Sequence, residues 1–123
     1  MTGVSLGTVV LDCPDPAELA AFYRGVLGGE VRSDRPEWVD LVVDGRTLSF
    51  QEVQDYEPPS WPDGPPQQFH LDLTVEEYDG PHALVTSLGA TPLDPTGPPP
   101  AEDGRTWRVY ADPAGHPFCL CLC

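Results

Sequence analysis

Val10-Leu11-Asp12-Cys13 runs through Pro14-Asp15-Pro16 into a helical stretch and then Gly28-Gly29-Glu30-Val31. Sixty residues later His70-Leu71-Asp72-Leu73 runs into a second helical stretch and then Gly89-Ala90-Thr91. Each half closes with a hairpin. Trp38-Val39-Asp40-Leu41-Val42-Val43 turns at Asp44-Gly45 into Leu48-Ser49-Phe50-Gln51. Trp107-Arg108-Val109-Tyr110 turns at Asp112-Pro113-Ala114-Gly115 into Phe118-Cys119-Leu120-Cys121. The repeated unit is strand, helix, three strands. The spacing predicts an α+β chain of two pseudo-symmetric βαβββ modules, module 1 over about 5–54 and module 2 over about 68–123, joined by a linker at 55–67.

The chain has 123 residues, the length of one domain with one core. We therefore expect residues 1–123 to form a single domain, each module being too small to bury enough apolar surface alone. The net charge is −14, with six arginines and no lysine. Such acidity argues against nucleic acid or an anionic membrane as partner. No apolar run has the length of a bilayer span, and the N-terminal residues carry neither a basic segment nor an apolar signal core, so a cytoplasmic location is expected. The four cysteines are then expected as thiols. Cys119, Cys121 and Cys123 alternate along one strand, a spacing that suits neither a disulfide between them nor a zinc ribbon.

Local signals place the elements. Residues 5–13 read as a strand. Asp15 is placed to cap a helix with Pro16 in its first turn and Glu18 where a capping box wants an acid. Leu19, Phe22, Tyr23, Val26 and Leu27 then recur at helical spacing until Gly28-Gly29. Strands follow near 30–33, 37–43 and 47–53. The linker is proline-rich and carries Tyr56 and Trp61; it reads equally as a rigid spacer or as a lid over a site. In module 2, strands are expected at 68–74, 91–94, 105–111 and 116–122. Asp79-Gly80-Pro81 delays the helix to 81–88, leaving His82 at its exposed start. Thr96 to Gly104 is an irregular loop.

Strand alternation separates two faces. Val9 and Leu11, Phe69, Leu71 and Leu73, and Phe118, Leu120 and Leu122 belong to apolar faces that should meet the helices. The opposite faces carry Thr8 and Asp12, Ser49 and Gln51, Gln68, His70 and Asp72, and Cys119, Cys121 and Cys123. These mixed faces are where a ligand would be met. Trp38, Trp107, Trp61 and Tyr56 form an aromatic set able to wall a flat or cationic molecule.

Leu-Asp-Cys-Pro-Asp-Pro at 11–16, Phe-His-Leu-Asp-Leu at 69–73 and Asp-Pro-Ala-Gly-His-Pro-Phe at 112–118, set in paired modules, resemble the vicinal oxygen chelate superfamily. It includes glyoxalase I, extradiol dioxygenases, fosfomycin-modifying enzymes and bleomycin-binding proteins. The chain is most similar to the small glyoxalase-like domain proteins of actinobacteria, over nearly its whole length. The resemblance implies a half-open barrel and a homodimer. It also implies metal-ligand positions on the first, fourth, fifth and eighth strands. Here these fall on Thr8, on Gln51 (Ser49 if the register slips by two), on His70 and on Cys119. His70 is the one strong ligand of this set, Gln51 is a weak amide and Thr8 a hydroxyl, and the thiol of Cys119 stands where metal members place Glu.

With that carboxylate missing, the expectation is a metal-independent protein binding a small molecule through Thr8, Asp12, Trp38, Gln51, Tyr56, Trp61, His70, Asp72, Trp107, Cys119 and Cys121. A divergent lyase, isomerase or dioxygenase is the enzymatic alternative. It would use His70, Gln51 and Cys119 for Zn, Ni, Fe or Mn, with His70 the best catalytic candidate. Sequestration of a cationic drug, as in bleomycin-type resistance, is a third reading that the acidic charge fits. His70 also has a structural reading, as a histidine hydrogen-bonded inside the fold. Asp12 and Asp72 read as repeat equivalents, and His116 as a structural residue of the hairpin turn.

Overall fold

A computed structural model describes residues 3, 5–64, 69–99 and 104–122; Gln68 and Cys123 lie outside the described residues. The chain divides into two compact units, Met1–Tyr56 and Glu57–Cys123. Both have the strand–helix–three-strand order read from the sequence. The first contains β1 (Val9–Cys13), α1 (Pro16–Leu27), β2 (Glu30–Arg35), β3 (Trp38–Val43) and β4 (Arg46–Glu52). The second contains β5 (Leu71–Thr74), α2 (Asp79–Ser87), β6 (Thr91–Asp94), β7 (Trp107–Ala111) and β8 (Pro117–Cys121). Each sheet has four strands, in the orders β1-β4-β3-β2 and β5-β8-β7-β6. The first and last strands of each module pair in parallel, which their intervening chain permits; the hairpin partners pair antiparallel.

In module 1, Asp15 accepts a hydrogen bond from the Glu18 amide at 3.2 Å, Pro16 opens α1, and the Gly28 amide closes it on the Arg24 carbonyl. Gly29 then turns into β2 with φ +93°; a Cβ there would lie 2.4 Å from the Val42 carbonyl oxygen, so only glycine fits. The helix buries Leu19, Ala20, Phe22 and Tyr23. The sheet side of this core is Leu11, Cys13, Val39, Leu41 and Phe50, every second residue of its strands. Tyr23 stacks on Phe50 with centroids 5.7 Å apart.

Module 2 buries Val85 of α2 together with Phe118, Leu120, Tyr110 and Arg108. Its hairpin turn is held by Asp112, whose Oδ1 accepts from the Ala114 amide at 2.9 Å and the His116 amide at 3.0 Å. Gly115 follows at φ +91°, where a Cβ would meet Pro58 at 2.8 Å. The proline segment after Tyr56 thus packs on this turn.

Several expectations change. β1 and β5 begin at Val9 and Leu71, later than read. The helix begins at Asp79 rather than Pro81, because Gly80 and Pro81 fall in its first turn, where amides lack helical partners anyway. Phe69, expected to face the helix, is 86% exposed, since it precedes the paired part of β5. His82 is half-buried, its Nδ1 2.7 Å from the Tyr110 hydroxyl. That hydroxyl also accepts from Arg108 Nε at 3.3 Å, and the Arg108 guanidinium donates to the Gly97 carbonyl and lies 5.6 Å from the Tyr78 ring centroid. Arg108 Nη1 is buried and has no hydrogen-bond partner among the described residues. Burial, followed by the Arg108 charge and partly opposed by Asp79, lowers the His82 pKa from 6.5.

Tyr110→Phe removes the one group that joins Arg108 to His82, leaving more of a buried guanidinium unsatisfied. It should destabilise the chain by about 1–3 kcal/mol in urea unfolding. A histidine kept neutral by folding loses its stabilising share as pH falls below 6.5 and through its lowered folded pKa. The wild-type midpoint should therefore drop more on acidification over that range than that of His82→Gln.

Candidate functional site

In both modules the face turned away from the helix carries a cluster of polar side chains. In module 1, Thr8 Oγ1 lies 2.7 Å from Ser49 Oγ, and Ser49, fully buried, donates to Asp40 Oδ1 at 2.6 Å. Trp38 Nε1 donates to the same carboxylate oxygen at 2.9 Å. Thr8 Oγ1 is also 3.1 Å from the Thr47 carbonyl oxygen. Gln51 donates to Asp12 Oδ1 at 3.2 Å. Trp38 and Asp40, with Glu30 and Arg32, line a polar concavity of about 770 Å³ over β2 and β3.

In module 2, parallel pairing sets Asp72 opposite Cys119, and antiparallel pairing sets Val109 opposite Cys119 and Trp107 opposite Cys121. Phe118 and Leu120 are sealed on the helix side, so Cys119 and Cys121 point the other way. His70 Nε2 is 3.2 Å from Asp72 Oδ1. One donor atom each from His70, Asp72 and Cys119 lies within 4.8 Å of the others. These three, with Thr106, Trp107, Val109 and Cys121, line a concavity of about 410 Å³. The Trp107 ring is braced from one side by the Arg105 guanidinium, 4.7 Å from its centroid, and Arg105 is in turn held by Asp94 at 2.6 Å.

The Cys119 thiol is pushed up to about 11, by burial first and then by the Asp72 carboxylate beside it, with a hydrogen bond from Cys121 working in the opposite direction. As it stands it is a protonated thiol and a slow nucleophile.

Register also settles which positions correspond between the modules. Trp38 pairs with Gln51 and Trp107 with Cys121. Counting from these, Ser49 corresponds to Cys119 and Thr8 to His70, so the fourth-strand position equivalent to Cys119 is Ser49; Gln51 corresponds to Cys121. Asp12 pairs with Gln51 and Asp72 with Cys119, so the two aspartates, read as equivalents from the sequence, are offset by two residues. Asp40, the acceptor at the centre of the module 1 network, was not singled out from the sequence. A carboxylate alternating with Trp38 on an apolar central strand was the available signal. Tyr56 and Trp61 lie beyond β4, half-exposed, and neither lines the concavities described above. His116 contributes its backbone to the hairpin turn.

A family model described as a glyoxalase-like domain matches residues 8–121. No curated protein matches the chain. Among solved structures, a hypothetical protein from S. aureus is 19% identical with TM-score 0.70, each chain covered in full. A glyoxalase/bleomycin resistance protein/dioxygenase family enzyme from Burkholderia phytofirmans is 21% identical with TM-score 0.70, over 95% of this chain and 97% of that one. A mutant of the fosfomycin resistance protein of Listeria monocytogenes, complexed with Mn(II) and 1S,2S-dihydroxypropylphosphonic acid, is 16% identical with TM-score 0.69, over 99% and 91%. Among the described residues no helix is long and apolar enough to cross a membrane.

Iodoacetamide at about pH 8 should modify Cys119 slowly in the folded chain, because little thiolate is present. Asp72→Asn removes a charge that raises this thiol's pKa and should accelerate the reaction; peptide mass spectrometry localises the label.

Proposed function

Because the chain belongs to the glyoxalase-like domain family of the vicinal oxygen chelate superfamily, we propose that it binds a small molecule in the concavity of module 2. The observation that carries this is one juxtaposition: an apolar wall of Trp107 and Val109 beside the exposed His70–Asp72 pair. Ligand sites combine apolar lining with a few polar groups that fix orientation, and this concavity has that composition. Trp107 offers a flat face and Arg105 holds the ring in place, so little side-chain freedom remains to be lost on binding. Asp72 accepts hydrogen bonds and His70 can donate or accept. The complementary ligand is a flat, largely apolar molecule with an amine or hydroxyl at one edge. Among the described residues the lining holds one carboxylate, Asp72, and that favours a neutral or cationic ligand over an anion.

In this reading Trp107 and Val109 exclude water, and Asp72 and His70 orient the ligand. The Cys119 thiol contributes polarisable surface. The hydroxyl positions of module 1 are already committed to one another. Thr8, Ser49, Asp40 and Trp38 shape their own sheet face, with Gln51 and Asp12 beside them. We propose further that the chain works in the cytoplasm, and as a homodimer, the latter being what its family resemblance implies.

The test is a thermal-shift and fluorescence screen of flat neutral and cationic aromatic compounds against wild type, Trp107→Ala and His70→Ala. Compounds should raise the wild-type melting temperature, and their affinity should fall about tenfold or more in Trp107→Ala, a loss of about 1.4 kcal/mol. A set of binders indifferent to both substitutions would place recognition elsewhere.

A further inference from the structure

We propose that module 1 carries a ligand site of its own, on the helix side of its sheet, for a small apolar molecule bearing one carboxylate. α1 packs chiefly on β3 and β4, the two central strands, and leaves the edge strand β2 exposed at every residue. Val31 pairs with Leu41, a core residue beneath α1, so Val31 faces the helix side too, yet it is 39% exposed. Between helix and edge strand lies a trough of about 620 Å³. One wall is Ala17, Ala21 and Gly25 of α1, spaced four apart and so stacked on one helix face. Val31 and Pro36 form the other wall, and the buried Val39 forms the floor. Side chains this small on the helix wall leave the space between them unfilled.

The charge in the trough decides the class of ligand. In a chain of net charge −14, the one charged residue among the described lining is a cation, Arg24. Its Nε donates to the Gly29 carbonyl at 3.4 Å, which ties the guanidinium to that end of the trough and leaves its Nη groups to donate elsewhere. Among the described residues no carboxylate forms an ion pair with Arg24; Glu30 and Glu37 pair instead with Arg32 and Arg35, at 3.5 and 3.7 Å. The negative end of α1 lies here as well, but a helix dipole amounts to about half a charge against the full charge of the guanidinium. Acids farther away than about 8 Å are largely screened at physiological salt, so the acidity of the whole chain does not reverse the local sign. Ser33 donates its hydroxyl to the Arg35 carbonyl at 2.9 Å, so recognition of an anion falls to Arg24. A carboxylate matches a guanidinium, whose N–H groups can meet both of its oxygens. The volume suits a small molecule, and an apolar lining with one charged anchor orients a ligand that is charged at one end. The ligand charge is opposite to that favoured by Asp72 in the module 2 concavity, so the two sites would select different compounds.

The test titrates the full chain with octanoate and with octanol, the same apolar chain without the charge, and follows the backbone amides by heteronuclear NMR. Octanoate should shift the amides of Ala17, Ala21, Gly25 and Val31. It should bind about fivefold more tightly than octanol, the worth of a good exposed ion pair. Arg24→Gln should bring the two compounds to equal affinity, and salt at about 1 M should narrow the gap in wild type. Ala21→Leu, at an exposed helix position, should fill the trough and abolish binding of both. Ala17→Leu repeats that check should the first variant unfold, and far-ultraviolet circular dichroism monitors the fold of each. Trp107→Ala, which alters the module 2 concavity, should leave octanoate binding unchanged. Octanoate binding no tighter than octanol in wild type, binding that survives the filled trough, or shifts confined to module 2 would each overturn the assignment and leave the module 2 reading standing.

Discussion

Asp72 meets Cys119 because β5 and β8 are parallel neighbours in a register that the core does not allow to change. Phe118 and Leu120 are buried on the helix side of β8, and Tyr110 stacks on Phe118 with centroids 5.5 Å apart. Slipping the strand by one residue would turn both apolar side chains out and both cysteines into the core. The position of every polar group in the module 2 concavity follows from that constraint. Trp107 and Val109 lie where their pairing with Cys121 and Cys119 puts them. His70 lies two residues before Asp72 and shares its face.

The same backbone plan carries different chemistry in module 1. There the corresponding positions are Thr8 and Ser49, the first-strand position that matches Asp72 is Val10, and the carboxylate bonded to Ser49 is Asp40 on β3. Ser49 is fully buried, and its hydroxyl is satisfied by Asp40 and Thr8, so the group serves the cohesion of its own face. Module 2 has Val109 in place of Asp40, which leaves Asp72 and His70 exposed at the rim of a partly apolar hollow. One module satisfies its polar groups internally; the other leaves them facing outward, able to receive something. A repeat conserves backbone geometry while side-chain chemistry drifts, so equivalence of position does not imply equivalence of role.

Module 2 also buries a charged side chain on the helix side of its sheet. Arg108 is 1% exposed, on the face opposite the concavity, and among the described residues it is served by Tyr110, Gly97 and the Tyr78 ring. Such a residue on a central strand breaks the expectation of a purely apolar helix side. Its neighbours come from α2, β7 and the loop after β6, segments far apart in the chain, and for that reason the cluster was not legible as a pattern. His82 read as an exposed helix-start residue for the same reason: its partner, Tyr110, lies 28 residues away.

What the sequence by itself determined is everything that depends on near neighbours. The caps of α1, the glycine turn into β2, the hairpin at Asp112 and the alternation that sorts Phe118 and Leu120 from Cys119 and Cys121 are local rules, and the repeat of those rules identified two βαβββ modules. The tertiary structure decided which residues from different strands meet. The offset between Asp12 and Asp72, the placing of Asp72 beside Cys119 and the Arg108–Tyr110–His82 cluster all depend on strand register. Register is set by how whole apolar faces pack, a collective property that no short stretch of sequence contains.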